Sequence, residues 1–124
     1  MKQFALLSHD HPFPHWDFLL ETGEHLTTWR LLSLPNSQGV AQTISAERLP
    51  DHRKMYLDYE GPVSGNRGQV QRVDRGAYIL IEQTETYWQL RIEGEMLQGF
   101  ATLAVEGSGE RDSNAVWSLL WVPG

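Results

Sequence analysis

From residue 15 the chain alternates. His15, Asp17, Leu19 and Glu21 interleave with Trp16, Phe18 and Leu20, and a period of two sends the first set to one face of a strand and the second to the other. Ahead of it, residues 4–7 form a short apolar run that reads as a buried strand ending near His9. Residues 21–25 carry turn chemistry and join the alternating strand to another at 26–33, a predicted hairpin. A Pro/Asn/Ser/Gly loop follows at 34–39, then a strand within 40–49 that becomes irregular toward Pro50. Residues 55–59 read as a strand and 60–68 as a glycine-rich loop, a turn or an anion-holding nest. Strands are expected at 69–73, 77–83 and 86–93, the last alternating Trp88, Leu90 and Ile92 with Gln89, Arg91 and Glu93. Residues 96–105 give a strand bent at Gly99, 107–114 a mobile hairpin loop, and 115–122 a closing strand.

Helical spacing is absent throughout. Many short strands between turns predict an all-β fold, a small antiparallel β-barrel with short loops and little helix. Closure removes exposed edges and gives polar residues a mouth to line. At least seven strands are expected, with Trp16, Phe18, Trp29, Leu90 and Trp117 in the core. A chain of 124 residues supports one core, so residues 1–124 are expected to form a single domain.

Composition narrows the function classes. There is no cysteine, hence no disulfide framework and no thiolate metal site. No apolar run approaches a membrane span and residues 1–4 lead into a strand, so no membrane role and a cytoplasmic location are the expectation. The net charge of −6 argues against a protein that grips long nucleic acid through its backbone. It leaves room for one that touches only a strand terminus.

The chemistry clusters at residues 9–21. Three of the five histidines, His9, His11 and His15, fall within seven residues, with prolines that keep the intervening run out of helix. His15 and Asp17 share a strand face, and His9 can close the set from the neighbouring strand. Imidazole and carboxylate suit Zn²⁺, Mn²⁺ or Fe²⁺, and three ligands leave coordination positions open for chemistry. The same residues also read as a solvated His–Asp hydrogen bond beside a proline-rich loop. The five tryptophans read first as core.

The run His9-Asp10, four residues, His15-Trp16-Asp17-Phe18, then Leu20-Glu21 resembles the 3′-phosphoesterase domain of bacterial DNA ligase D, whose pattern is His-Asp-x-x-x-x-His-Tyr-Asp-Phe-Arg-Leu-Glu. Further stretches resemble the family in the same order: Leu26-Thr27-Thr28-Trp29, Asp51-His52, Tyr56-Leu57-Asp58-Tyr59-Glu60-Gly61, Asp74-Arg75-Gly76, Ile92-Glu93-Gly94 with Leu97-Gln98-Gly99, and Trp117-Ser118-Leu119-Leu120. The resemblance implies a β-barrel with its site in a groove, and hydrolysis of phosphoesters at DNA 3′ ends. A terminal ribonucleoside and then the 3′-phosphate are removed, with Mn²⁺ preferred. It implies His9, His15 and Asp17 as metal ligands, His52 as phosphate contact or general acid, and Tyr56 beside the phosphate. The partners implied are a DNA or RNA 3′ terminus, or a smaller phosphoester, and a DNA-repair ligase.

This chain departs from the family pattern where cations normally stand. The arginine two residues beyond the ligand aspartate is Leu19, the lysine after the tryptophan strand is Ser33, and the arginine eight residues before the phosphate histidine is Ile44. Each normally brings charge to the phosphate. Leu19 is expected to face the site and leave a gap. Arg48, four residues before His52, is the leading replacement cation and Arg67 the second. The alternative is a catalytically impaired barrel that binds metal, a nucleotide or a partner protein.

Overall fold

The computed structural model describes residues 1–106 and 115–124; the expected loop at 107–114 lies outside the described residues. Eight long strands close into an antiparallel barrel: β1 (Lys2–His9), β2 (His15–Thr22), β3 (His25–Leu31), β4 (Gln42–Arg53), β6 (Gln69–Gln83), β7 (Tyr87–Gly94), β8 (Gln98–Val105) and β9 (Trp117–Pro123). Their order is β1-β2-β3-β4-β9-β8-β7-β6, and β6 pairs back onto β1 to complete the ring. The two-residue β5 (Gly61–Pro62) adds to the lower part of β6. The helical content among the described residues is one 3₁₀ turn, Lys54–Leu57, and none is long and apolar enough to cross a membrane.

Side-chain parity explains the closure. Phe4, Leu6, Phe18, Leu20, Trp29, Leu31, Leu90, Trp117 and Trp121 point inward and form one buried cluster. Trp29 sits edge-on to Trp88 and Trp117 with ring centroids 5.3 and 5.6 Å apart. Trp16 is half-buried against the same core. Burial at this density, about 25 cal/mol per Å² of apolar surface, drives the ring shut.

β1 and β2 are apolar on both faces for a second reason. Ala5, Leu7 and Leu19 look outward, where Leu26, Leu57, Val63 and Val70 cover them in a second buried cluster. The segment from the 3₁₀ turn to Val63 therefore folds across the outside of β1, β2 and β3. The barrel is two-layered on that side, and the outer layer builds the wall of a cleft.

Three local expectations change. Residues 55–59 are not a strand: the 3₁₀ turn occupies Lys54–Leu57, closed by Asp58 N–H donating to the Met55 carbonyl. Residues 69–83 are one strand without a break at 74–76. Asp74 is buried and its carboxylate accepts from the N–H groups of Arg75, Met96 and Leu97 at 2.8–3.0 Å. It braces the β7–β8 turn from within β6, and Gly94 leaves the room, since a Cβ there would stand 2.2 Å from Asp74 Oδ2. Finally, β4 does not end before Pro50 but continues to Arg53, and the irregularity expected near Pro50 falls within it, between Leu49 and His52.

β4 also carries an irregularity that decides which residues share a face. Thr28 pairs with Leu49, but Leu26 pairs with His52, so two residues of β3 oppose three of β4. This is a bulge, and it reverses side-chain parity along β4. Arg48 pairs with Trp29 and lays its guanidinium over the Trp29 and Trp88 rings, 4.8 and 5.9 Å from their centroids. His52 stands on the opposite, outer face.

Candidate metal and phosphoester site

The β1–β2 hairpin creates the centre. His9 and His15 are directly paired across it, and Asp17 pairs with Leu7. Parity then places all three side chains on the outer face, at the end of the covered layer. His15 and Asp17 are 1% and 2% exposed, and one ligand atom from each of the three residues lies within 4.8 Å of the others.

Backbone carbonyls fix the histidine tautomers. His15 Nδ1 is 2.8 Å from the Phe13 carbonyl and His9 Nε2 is 2.8 Å from the Arg67 carbonyl. A carbonyl can only accept, so these nitrogens carry the protons and the other nitrogen of each neutral ring presents a lone pair. Those lone pairs face a carboxylate: His15 Nε2 is 3.0 Å from Asp17 Oδ1, and His9 Nδ1 is 3.2 Å from Asp17 Oδ2. His15 Nε2 and Asp17 Oδ1, although close, have no aligned hydrogen-bond partner. Buried acceptors facing acceptors are unfavourable unless a proton or a cation lies between them. Imidazoles held by a carbonyl on one side and open on the other are the arrangement metal sites use. The donor set thus fits a divalent metal. Burial pushes the Asp17 pKa up, but the close His15 contact and the electrostatic pull of the His15, His52 and His9 rings outweigh it and hold the carboxyl below its ordinary value. The ligand oxygens are therefore ionised at neutral pH.

His9 owes its orientation to the glycine-rich loop. Gly65, Asn66 and Gly68 adopt positive φ, which turns the Arg67 carbonyl toward His9. Gly68 sits against Asp10 and His11, and Asp10 Oδ1 accepts the Gln69 N–H at 2.8 Å.

The centre opens into a cleft of about 480 Å³. His52 and Tyr56 line it, their rings 5.9 Å apart and edge-on. His52 Nδ1 donates to the Pro50 carbonyl at 3.0 Å, which leaves Nε2 for a ligand. Arg67, the second replacement cation expected, also lines the cleft; its side chain donates to Ser64 O and Oγ at 2.7 and 3.1 Å. Arg48 lies across β4, stacked on tryptophan, because of the bulge.

Two residues escaped the sequence reading. Arg30 and Arg53 both line the cleft. Arg30 is the β3 residue paired with Asp17, so a signal existed: a two-residue turn at Gly23-Glu24 sets that register. Leu19 shares the outer face as expected, but no gap opens there. It is fully buried beneath Leu57 and Val63. Ile44 is buried in the barrel core and Ser33 is exposed beyond the end of β3.

Fold and site together define a small closed antiparallel β-barrel with a candidate His-His-Asp metal centre at the head of an arginine-bearing cleft. The profile of the DNA Ligase D 3′-phosphoesterase domain matches residues 7–105, from β1 through β8, and the chain belongs to that family. A comparison with curated proteins found no match.

Proposed function

We propose that this single domain is a Mn²⁺-dependent phosphoesterase that acts on a nucleic-acid 3′ end, removing a terminal ribonucleoside or a 3′-phosphate. The observation that carries it is the pair of carbonyl-fixed imidazoles presenting lone pairs at Asp17, in one cleft with His52 and Tyr56. His9, His15 and Asp17 would hold the metal, which when bound supplies Lewis acidity to a phosphoryl oxygen. As the imidazolium, with its Nδ1–H on the Pro50 carbonyl, His52 donates from Nε2 to the phosphate or protonates the leaving oxygen as the P–O bond breaks and water adds to phosphorus. Tyr56, edge-on to His52, keeps that ring in place and offers its hydroxyl to the phosphate. The footprint fits a terminus: a chain of net charge −6 carries arginines at the cleft, enough for one phosphate group rather than a long backbone.

The buried apolar settings of Leu19 and Ile44 favour a second reading, a barrel that binds metal or nucleotide without turnover, because neither position can bring charge. Phosphate release from a 3′-phosphorylated primer with Mn²⁺ separates the two. The enzyme reading expects release that falls at least about a hundredfold in His9→Ala and His52→Ala. A native chain that binds Mn²⁺ and releases nothing establishes the second reading.

A further inference from the structure

We infer that Arg30 is the residue that anchors the substrate phosphate in this chain, a role that rests on the phosphoesterase reading. A phosphate dianion in a half-buried cleft needs a cation within hydrogen-bond reach. Arg48 is on the wrong face of β4, and the Arg67 side chain is committed to Ser64. Arg53 is exposed at the end of β4, where solvent weakens a charge. Among the described residues, Arg30 alone of the cleft arginines combines proximity, shelter and largely uncommitted donors.

It is the cross-strand partner of Asp17, which places their Cβ atoms about 5 Å apart. Its side chain is 19% exposed. The guanidinium lies over the Phe13 ring, 5.2 Å from its centroid, a contact that holds the planar fork in one orientation. Its only ion pair among the described residues is with Glu47, at 4.0 Å, and Nε is buried without an acceptor. A guanidinium has five N–H donors in a fork that matches two phosphate oxygens. A phosphate held at the metal centre therefore lies in front of a sheltered and largely unpaired arginine.

A purely structural role would instead make Arg30 the partner of Glu47, and the two are separable. Binding of inorganic phosphate to the Mn²⁺-loaded native chain is measured by calorimetry, alongside KM and kcat on a 3′-phosphorylated oligonucleotide. Arg30→Gln should weaken phosphate binding and raise KM by about tenfold to a hundredfold, with Mn²⁺ affinity unchanged. Arg53→Gln and Arg67→Gln should each change phosphate binding less than about threefold, and Glu47→Gln should leave it intact. Arg30→Lys, which keeps the charge and loses the fork, should recover only part of the loss, and it decides the matter should Arg30→Gln fail to fold. Native-like phosphate binding in Arg30→Gln or Arg30→Lys, or an equal loss in Arg53→Gln, overturns the assignment. A native chain without turnover would sink the phosphoesterase reading, while the calorimetry would still judge Arg30.

Discussion

Gly68→Ala should damage the metal centre without touching a ligand. Gly68 has φ +75°, and a Cβ built there would stand 2.1 Å from Asp10 Oδ1 and 2.7 Å from His11 Cβ. Left-handed backbone costs alanine about 1 kcal/mol more than glycine. The overlap cannot persist, so either the loop or the His9–His11 end of β1 must move. Movement breaks the Asp10 hydrogen bond to Gln69 N–H and strains the Val63 N–H bond to the Gly68 carbonyl, roughly 1 kcal/mol each. The total is about 3 kcal/mol, which for a domain of this size lowers Tm by roughly 10 °C. The same movement withdraws the Arg67 carbonyl from His9 Nε2. Loss of such an outer contact lowers metal affinity about tenfold to a hundredfold.

The assay pairs thermal melting followed by circular dichroism with a Mn²⁺ titration read from the free-ion electron paramagnetic resonance signal. Both quantities should fall together. Unchanged melting would refute the steric reasoning. A lowered Tm with native Mn²⁺ affinity would refute the claim that this loop orients His9.

Two further outcomes follow from buried groups. Leu19→Arg should lose more than about 3 kcal/mol of stability and gain no phosphate turnover, because Leu19 is enclosed by Leu7, Leu57 and Val63 and a guanidinium there has no partner; a variant with native Tm and raised activity would contradict this. Burial, and secondarily Glu21, push the Tyr78 pKa up to about 12, with its hydroxyl donating to the Glu21 carbonyl. Its folded pKa is raised, so its contribution is complete below about pH 10 and lost as pH rises toward 12. The native chain should therefore lose stability over that window more steeply than Tyr78→Phe, as denaturant melts across pH would show; parallel curves would exclude it.

The convergence of His9, His15 and Asp17 was legible because it needs only two local rules. A hairpin between residues 9 and 15 pairs them directly, and period two carries Asp17 to the same face. Arg48 was misplaced by the same rule, applied where a bulge adds one residue between Leu49 and His52. Pro50 sits inside that bulge and signals broken pairing, but the residue alone does not say that parity reverses beyond it. The Asp74-Arg75-Gly76 stretch reads as a turn because Asp and Gly favour turns, but its carboxylate is consumed by the N–H groups of a distant turn. Residues 54–57 form a 3₁₀ turn, and Leu57 at its end joins Leu19 in the buried cluster on the outside of the barrel. That layer was unreadable from periodicity, since one strand face reports burial but not what does the burying.

The fate of the Leu19 position and the placing of Arg30 are best understood as one change in the sheet. Position 19 lies two residues beyond Asp17 along β2, about 7 Å away. Position 30 lies beside Asp17 across the β2–β3 ladder, about 5 Å away. Both face outward, so either can bring charge to a ligand resting on the Asp17 carboxylate. With leucine at 19 the charge on that side is gone, but the side chain joins Leu57 and Val63. Those two residues fasten the segment that carries Tyr56 along the cleft wall, next to His52. A cation at 19 would have to push between them, whereas one at 30 leaves the apolar anchor intact. On the role proposed for Arg30, a cation one strand over would let the same face of the barrel hold a phosphate and bury a second core.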